Sequence, residues 1–162
     1  MDLAQMIDAY LAGVPTLSRA VAGMSRAQAV ARPVAGKWST LEVLCHLADI
    51  DALDAERMKR ILAEDNPTLM DCDETKYAAA LAYQDRDHEE ELALIAATRR
   101  QMARVLRTLP PAALERTSVY QIGDRAETRT LGQILQKAIR HVQHHAPFVV
   151  DKRRALGLTL VG

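Results

Sequence analysis

Leu3, Met6, Ile7, Tyr10, Leu11, Val14, Leu17 and Val21 recur in steps of three and four, which predicts an amphipathic helix over residues 2–22. Pro15 lies inside it and lacks a backbone N–H, so a kink or split is expected there. Residues 25–30 suit one further turn, and Pro33 and Gly36 make residues 32–38 a loop, with Trp38 expected over the bundle end. Ser39 with Glu42 three residues on is a capping box, opening a second helix that runs to about Glu64 and stops at Asp65-Asn66-Pro67. The connection over 68–84 is long for a bundle, and residues 73–82 within it look helical, so a short helical lid is predicted. Asp87 with Glu90 opens a third helix carrying Leu92, Leu94, Ile95, Thr98, Met102, Val105 and Leu106, closed by Pro110-Pro111. Val119, Tyr120 and Ile122 around Gly123-Asp124 suggest a small hairpin or open loop. Thr130 with Gln133 is a third box, starting a last helix that reaches about Ala155. Four long amphipathic segments with long second and third connections predict an all-α fold. It is a four-helix bundle with crossover connections, in one domain spanning 1–162.

Composition narrows the class. Apolar residues make up 49% of the 162 and charged residues 26%, which is globular rather than disordered. Aromatics are 4%, with Ala, Leu and Arg abundant, favouring helix over sheet. Formal net charge is zero and no basic block stands out, which argues against nucleic acid or an anionic membrane as partner. No apolar run approaches the roughly 20 residues of a membrane span, and Met1-Asp2-Leu3-Ala4-Gln5 does not resemble a signal peptide. Cys45 and Cys72 form neither a CxxC pair nor a disulfide framework, so a cytoplasmic location is expected.

The candidate chemistry lies in the histidines. Three of the five fall in Arg140-His141-Val142-Gln143-His144-His145, and another stands in Val43-Leu44-Cys45-His46-Leu47-Ala48-Asp49. On the last helix the apolar stripe is Leu131, Ile134, Leu135, Ala138, Val142 and Val149. His145 falls roughly 40° from its centre, His141 roughly 80° and His144 roughly 140°. Phase therefore selects His141 and His145 to face inward, and puts His46 at the edge of the stripe Val43, Leu47, Ile50, Met58 and Ile61. Three imidazoles at the rim of one core suit a divalent ion with an open position; the competing reading is three satisfied core histidines. His144 and Asp49 are candidates for a supporting shell, while His88 reads as surface. Asp54 is expected to pair with Arg57. Cys45 lies about 100° round the helix from His46 and is not counted as a ligand. No general base is evident beside the ligands, so catalytic residues are unassigned.

Gly36-Lys37-Trp38-Ser39-Thr40-Leu41-Glu42-Val43-Leu44-Cys45-His46-Leu47-Ala48-Asp49 resembles the GKWS-x-x-EV-x-x-HLA-[DE] signature of the DinB/YfiT-like superfamily. His141-x-x-His144-His145 followed by Arg154-Ala155-Leu156-Gly157-Leu158 matches that family's HxxHH and basic LGL ending, so the resemblance spans nearly the whole chain. It implies an up-down-down-up bundle whose metal is held by His46, His141 and His145, the trio that phase selects. It also implies a homodimer, a nickel, zinc or iron ion, and transfer chemistry that uses bacillithiol, mycothiol or glutathione. Two departures stand out: Ala146-Pro147-Phe148-Val149 where relatives continue with a further His or Gly-Gln-Ile, and Asp71-x-Asp73-x-x-x-Tyr77 where they often carry a tryptophan. Pro147 costs the last helix a hydrogen bond just beyond the site.

A three-histidine metal could bind a thiol as thiolate or lower the pKa of water to about 7. Three functions follow for a small-molecule substrate: transfer of an electrophile to a low-molecular-weight thiol, ranked first on the resemblance; metal-dependent hydrolysis; and a metal-bearing stress-response or binding protein without turnover. A thiol pocket needs an anchor for an anionic group, for which Arg140 and Lys37 are the sequence candidates.

Overall fold

The computed structural model describes residues 1–159, so the last three positions of the predicted 1–162 domain lie outside the described residues. The described chain runs α1 (Leu3–Val21), α2 (Arg26–Val30), α3 (Thr40–Ala63), β1 (Thr68–Met70), α4 (Glu74–Ala80), α5 (His88–Leu106), a 3-10 turn (Pro111–Glu115), β2 (Thr117–Ile122), β3 (Arg125–Thr130) and α6 (Leu131–Ala155). Helices α1 and α3 each pack against both α5 and α6, so the four long helices enclose a common core.

Local chemistry sets the boundaries. Ser39 accepts from the Glu42 amide while Glu42 reaches back to the Ser39 amide at 2.7 Å, and Thr130 and Gln133 repeat the arrangement at α6. Asp2 with Gln5 and Ser25 with Gln28 form two more such boxes. Asp87 caps α5 through the amides of Glu89 and Glu90, without the reciprocal half of a box. Neither proline interrupts its helix: α1 is continuous through Pro15 and α6 through Pro147. The split expected at Pro15 is therefore absent, and Pro147 leaves α6 helical beyond the histidines.

The fold is mostly helical, but the all-α expectation needs correction. β2 and β3 form the hairpin expected around Gly123, and β1 adds a parallel strand with Leu69 opposite Tyr120. Only Leu69 of β1 is buried. A three-residue strand offers no period to read. The lid, α4, is the helix expected over 73–82, shortened to seven residues.

Two apolar clusters fill the bundle. One gathers Tyr10, Met58, Met102, Leu131 and Leu135; the other gathers Leu17, Leu44, Leu47, Ile95, Val142 and Val149. Between them along the helices lies Arg99, fully buried. It donates to Asp51 at 2.5 and 2.7 Å, to the Tyr10 carbonyl at 2.7 Å and to the Ala138 carbonyl at 3.0 Å, so one guanidinium touches all four long helices. Gly13 leaves room for it: a Cβ there would collide with Arg99 Nη1.

Candidate metal centre

The first turns of α3 are buried nearly all round, from Thr40 through Ala48, and His46 within them is 1% exposed. His141 and His145 stand one turn apart on α6, where four-residue spacing puts both rings on one face. The three rings gather with centroids 4.7 to 4.9 Å apart, and the Nε2 atoms of His46 and His141 lie 2.9 Å from one another. One donor nitrogen from each of the three lies within 4.8 Å of those from the other two.

The chemistry of this set suits a metal ion. Burial pushes His141 down to about 2 and His145 down to about 4, with repulsion from the neighbouring imidazoles adding to it, and burial also lowers His46. All three are thus neutral near pH 7, the form that ligates. Among the described residues their Nδ1 atoms are buried without hydrogen-bond partners, and the Nε2 atoms of His46 and His141 face one another, so outside the cluster only the Glu74 carboxylate is found near these nitrogens. Borderline divalent ions such as zinc, nickel or iron(II) prefer such nitrogen donors.

Glu74, the first residue of α4, brings a carboxylate oxygen to 3.8 Å from His46 Nε2, with its side chain half exposed. No sequence motif pointed to it. Asp73 signalled the start of the lid helix, but a helix of seven residues carries no pattern that says where it docks. Trp38, expected over the bundle end, lies against His46, with ring centroids 5.3 Å apart. The loop that carries it is pinned to α3 by Arg32, which donates to both Glu42 oxygens, at 2.5 and 3.0 Å.

The other sequence candidates fall elsewhere. Asp49 does not reach His46: it accepts from Tyr83 at 2.8 Å and from Arg86 at 3.0 and 3.1 Å, locking the lid connection to α3. His144 is exposed and lies edge-on to His145, with centroids 4.9 Å apart, touching the cluster from outside. His88, read as surface, is buried instead, at 7% exposure. The expected Asp54–Arg57 pair is present at 2.8 Å, and Lys137, one turn before His141, joins it at 3.2 Å. Burial pushes the Cys45 thiol up to about 12, so it packs rather than reacts.

Two cavities flank the cluster. One, of about 470 Å³, meets His145 and is walled by Val43, Trp38 and Phe148. The other, of about 660 Å³, meets His141 and is lined by Arg129, Lys137 and Arg140 with Glu127. Lys37 lines the first and Arg140 the second, so the two suggested anion anchors lie in different cavities.

A family model described as the DinB superfamily matches residues 13–148. The chain belongs to the DinB superfamily. It is 28% identical over 122 residues to a protein of Bacillus licheniformis named "putative metal-dependent hydrolase", covering 75% of this chain and 68% of that one. A protein of the same description from Oceanobacillus iheyensis is 31% identical over 116 residues, covering 72% of this chain and 65% of the relative. YfiT of Bacillus subtilis, also so named, is 27% identical over 122 residues, covering 75% and 67%. The solved YfiT structure superposes with a TM-score of 0.86 at 25% identity, covering 97% of this chain and 89% of that one. It is described as a probable metal-dependent hydrolase with an unusual four-helix bundle topology. Among the described residues of this DinB-superfamily chain, no helix is long and apolar enough to cross a membrane.

Proposed function

We propose that this chain is a metal-dependent hydrolase of small molecules, with His46, His141 and His145 holding one divalent transition ion. The observation that carries the reading is the convergence of three neutral, desolvated imidazoles with a carboxylate, Glu74, 3.8 Å from His46 Nε2. Three protein ligands leave a position open. When bound, the ion supplies Lewis-acid polarisation and brings the pKa of water toward about 7. Glu74, 3.8 Å from His46 Nε2, would serve as the proton acceptor and donor in hydrolysis. The lid helix carries that carboxylate, and Trp38 packs over the buried His46.

The hydrolase names of the DinB-superfamily relatives support the same class. The bundle order up-down-down-up is part of the proposal. It rests on side-chain pairs: Asp49 and Glu91 share Arg86 and Lys59 bonds Gln101, so contacts advance together along α3 and α5. His46 with His141 and Asp54 with Lys137 run oppositely along α3 and α6, and Arg153 late in α6 reaches the Ala20 carbonyl late in α1.

A second reading, transfer of an electrophile to a small thiol, draws support from the paired cavities, one mostly apolar and one basic, which suit two substrates meeting at one ion. The decisive assay uses protein reconstituted with zinc, nickel or iron. Hydrolysis of 4-nitrophenyl acetate without thiol, lost in Glu74→Gln, supports the hydrolase. Turnover of 1-chloro-2,4-dinitrobenzene only when a thiol is added would replace it with the transferase. Metal binding without either would leave a binding protein.

A further inference from the structure

We propose that the cavity beside His145 binds a small apolar molecule bearing one carboxylate, with the carboxylate against Lys152 and the apolar body between Trp38 and Phe148. The inference deepens the hydrolase reading, on which it rests for the reacting end of the substrate. At about 470 Å³ the cavity has the size of a small-molecule site. Phe148 is 41% exposed, an aromatic face left open to a ligand.

Lys152 is the unusual element. It is 4% exposed, and its ammonium donates to the Phe148 carbonyl at 3.1 Å, with the Phe148 ring 5.9 Å away. Among the described residues no carboxylate lies within 4.0 Å of it. The other buried cations are matched: Arg57 and Arg99 by aspartates, Arg153 by the carbonyls of Ala20, Ala22 and Thr159. An ammonium has three donors, so two remain for a ligand, and a buried charge without a counter-ion is costly. Burial pushes Lys152 below the ordinary lysine range; Asp151 and Glu42 oppose the shift from beyond ion-pair distance, and Lys37 adds to it.

Charge and spacing define the ligand. Lys37 and Lys152 stand against Asp151, which Arg154 engages at 3.1 Å, so the lining carries one net positive charge and suits a monoanion over a phosphate dianion. Lys152 follows His145 by seven residues, about 10 Å along α6. The acid group therefore sits two helical turns from the reacting group, with Trp38, Val43 and Phe148 covering the span.

Trp38 is the chain's sole tryptophan, so its fluorescence reports occupancy of this cavity directly. The experiment titrates zinc-treated protein with 4-phenylbutyrate and with the neutral 4-phenylbutanol, and measures zinc content in the same samples. Wild type is expected to bind the acid about 10-fold more tightly. Lys152→Met is expected to erase the preference, while Arg104→Met, exposed on α5 and outside the lining, keeps it; Lys152→Gln carries the reading if the methionine variant does not fold. Equal binding of acid and alcohol by wild type, or a preference that survives loss of Lys152, would overturn the inference. Zinc uptake without acid preference sinks this inference alone. Acid preference without zinc uptake upholds the anion pocket and sinks the metal reading.

Discussion

At the scale of single residues, helical phase pointed His141 and His145 inward and put His46 at the edge of its stripe, and the three rings do converge, because facing is what a 3.6-residue period encodes. It separated His145 from His144 on the same ground, and the structure puts the first in the cluster and the second outside it. His145→Ala is therefore expected to lose metal, measured by elemental analysis of protein purified without chelators, while His144→Ala keeps about one equivalent per chain. Glu74 and Lys152 were not legible. Each depends on where a separate element docks, and a lone Glu or Lys in a helical run is ordinarily a solvated one. With Glu74 as proton acceptor, Glu74→Gln should lower the rate constant about 10²- to 10⁴-fold with metal content unchanged. The imidazoles also give the metal-free protein a pH signature. Their folded pKa values lie below the ordinary 6.5, so the unfolded chain takes up protons first as pH falls. Their effect on stability is nil well above pH 6.5, and they destabilise progressively from there down through about 4, where His145 titrates. Thermal melting of metal-free protein should fall across that window, and less steeply in His145→Ala.

At the scale of elements, the four long helices could be read because each carries several turns of apolar period and a cap of recognisable chemistry. Strand β1 could not, since three residues hold no period and its pairing with β2 joins positions about fifty residues apart. The loop before α3 was legible as a loop, and its task was not. Glu42 closes the α3 capping box and at the same time grips Arg32, so one side chain sets both the start of the helix that carries His46 and the path of the segment that carries Trp38. The Arg32 guanidinium holds the Glu42 carboxyl below the ordinary glutamate range against the effect of burial. Glu42→Gln keeps an acceptor for the Ser39 amide and weakens the grip on Arg32. It should leave helix content and metal uptake nearly unchanged, measured by circular dichroism and elemental analysis, while Trp38 emission shifts to the red as the loop loosens. An unshifted spectrum would show that the loop is held by apolar packing instead.

At the scale of the whole molecule, the sequence announced a bundle but not what fixes its helices against one another. The apolar stripes would tolerate some sliding, because dispersion contacts are individually weak and without direction. Arg99 removes that freedom. Its five donors form a rigid fork, and they close on groups from α1, α3 and α6 while the side chain itself comes from α5. The imidazole cluster needs α3 and α6 in a single register, and Asp51 and Ala138, the Arg99 partners on those helices, lie five and three residues from His46 and His141. Burial raises the Asp51 carboxyl even though Arg99 pulls the other way, so the pair serves geometry at a cost in desolvation. Arg99→Met leaves Asp51 buried without its cation and should destabilise the fold by about 3–5 kcal/mol, read from the urea midpoint at unchanged slope. Arg99→Met with Asp51→Leu removes both charges and should recover most of that loss. The two variants part company over function: if the ion pair sets register, the double variant regains stability yet binds metal more weakly than wild type. Full recovery of both would assign the register to the apolar core and leave Arg99 as a stability element alone.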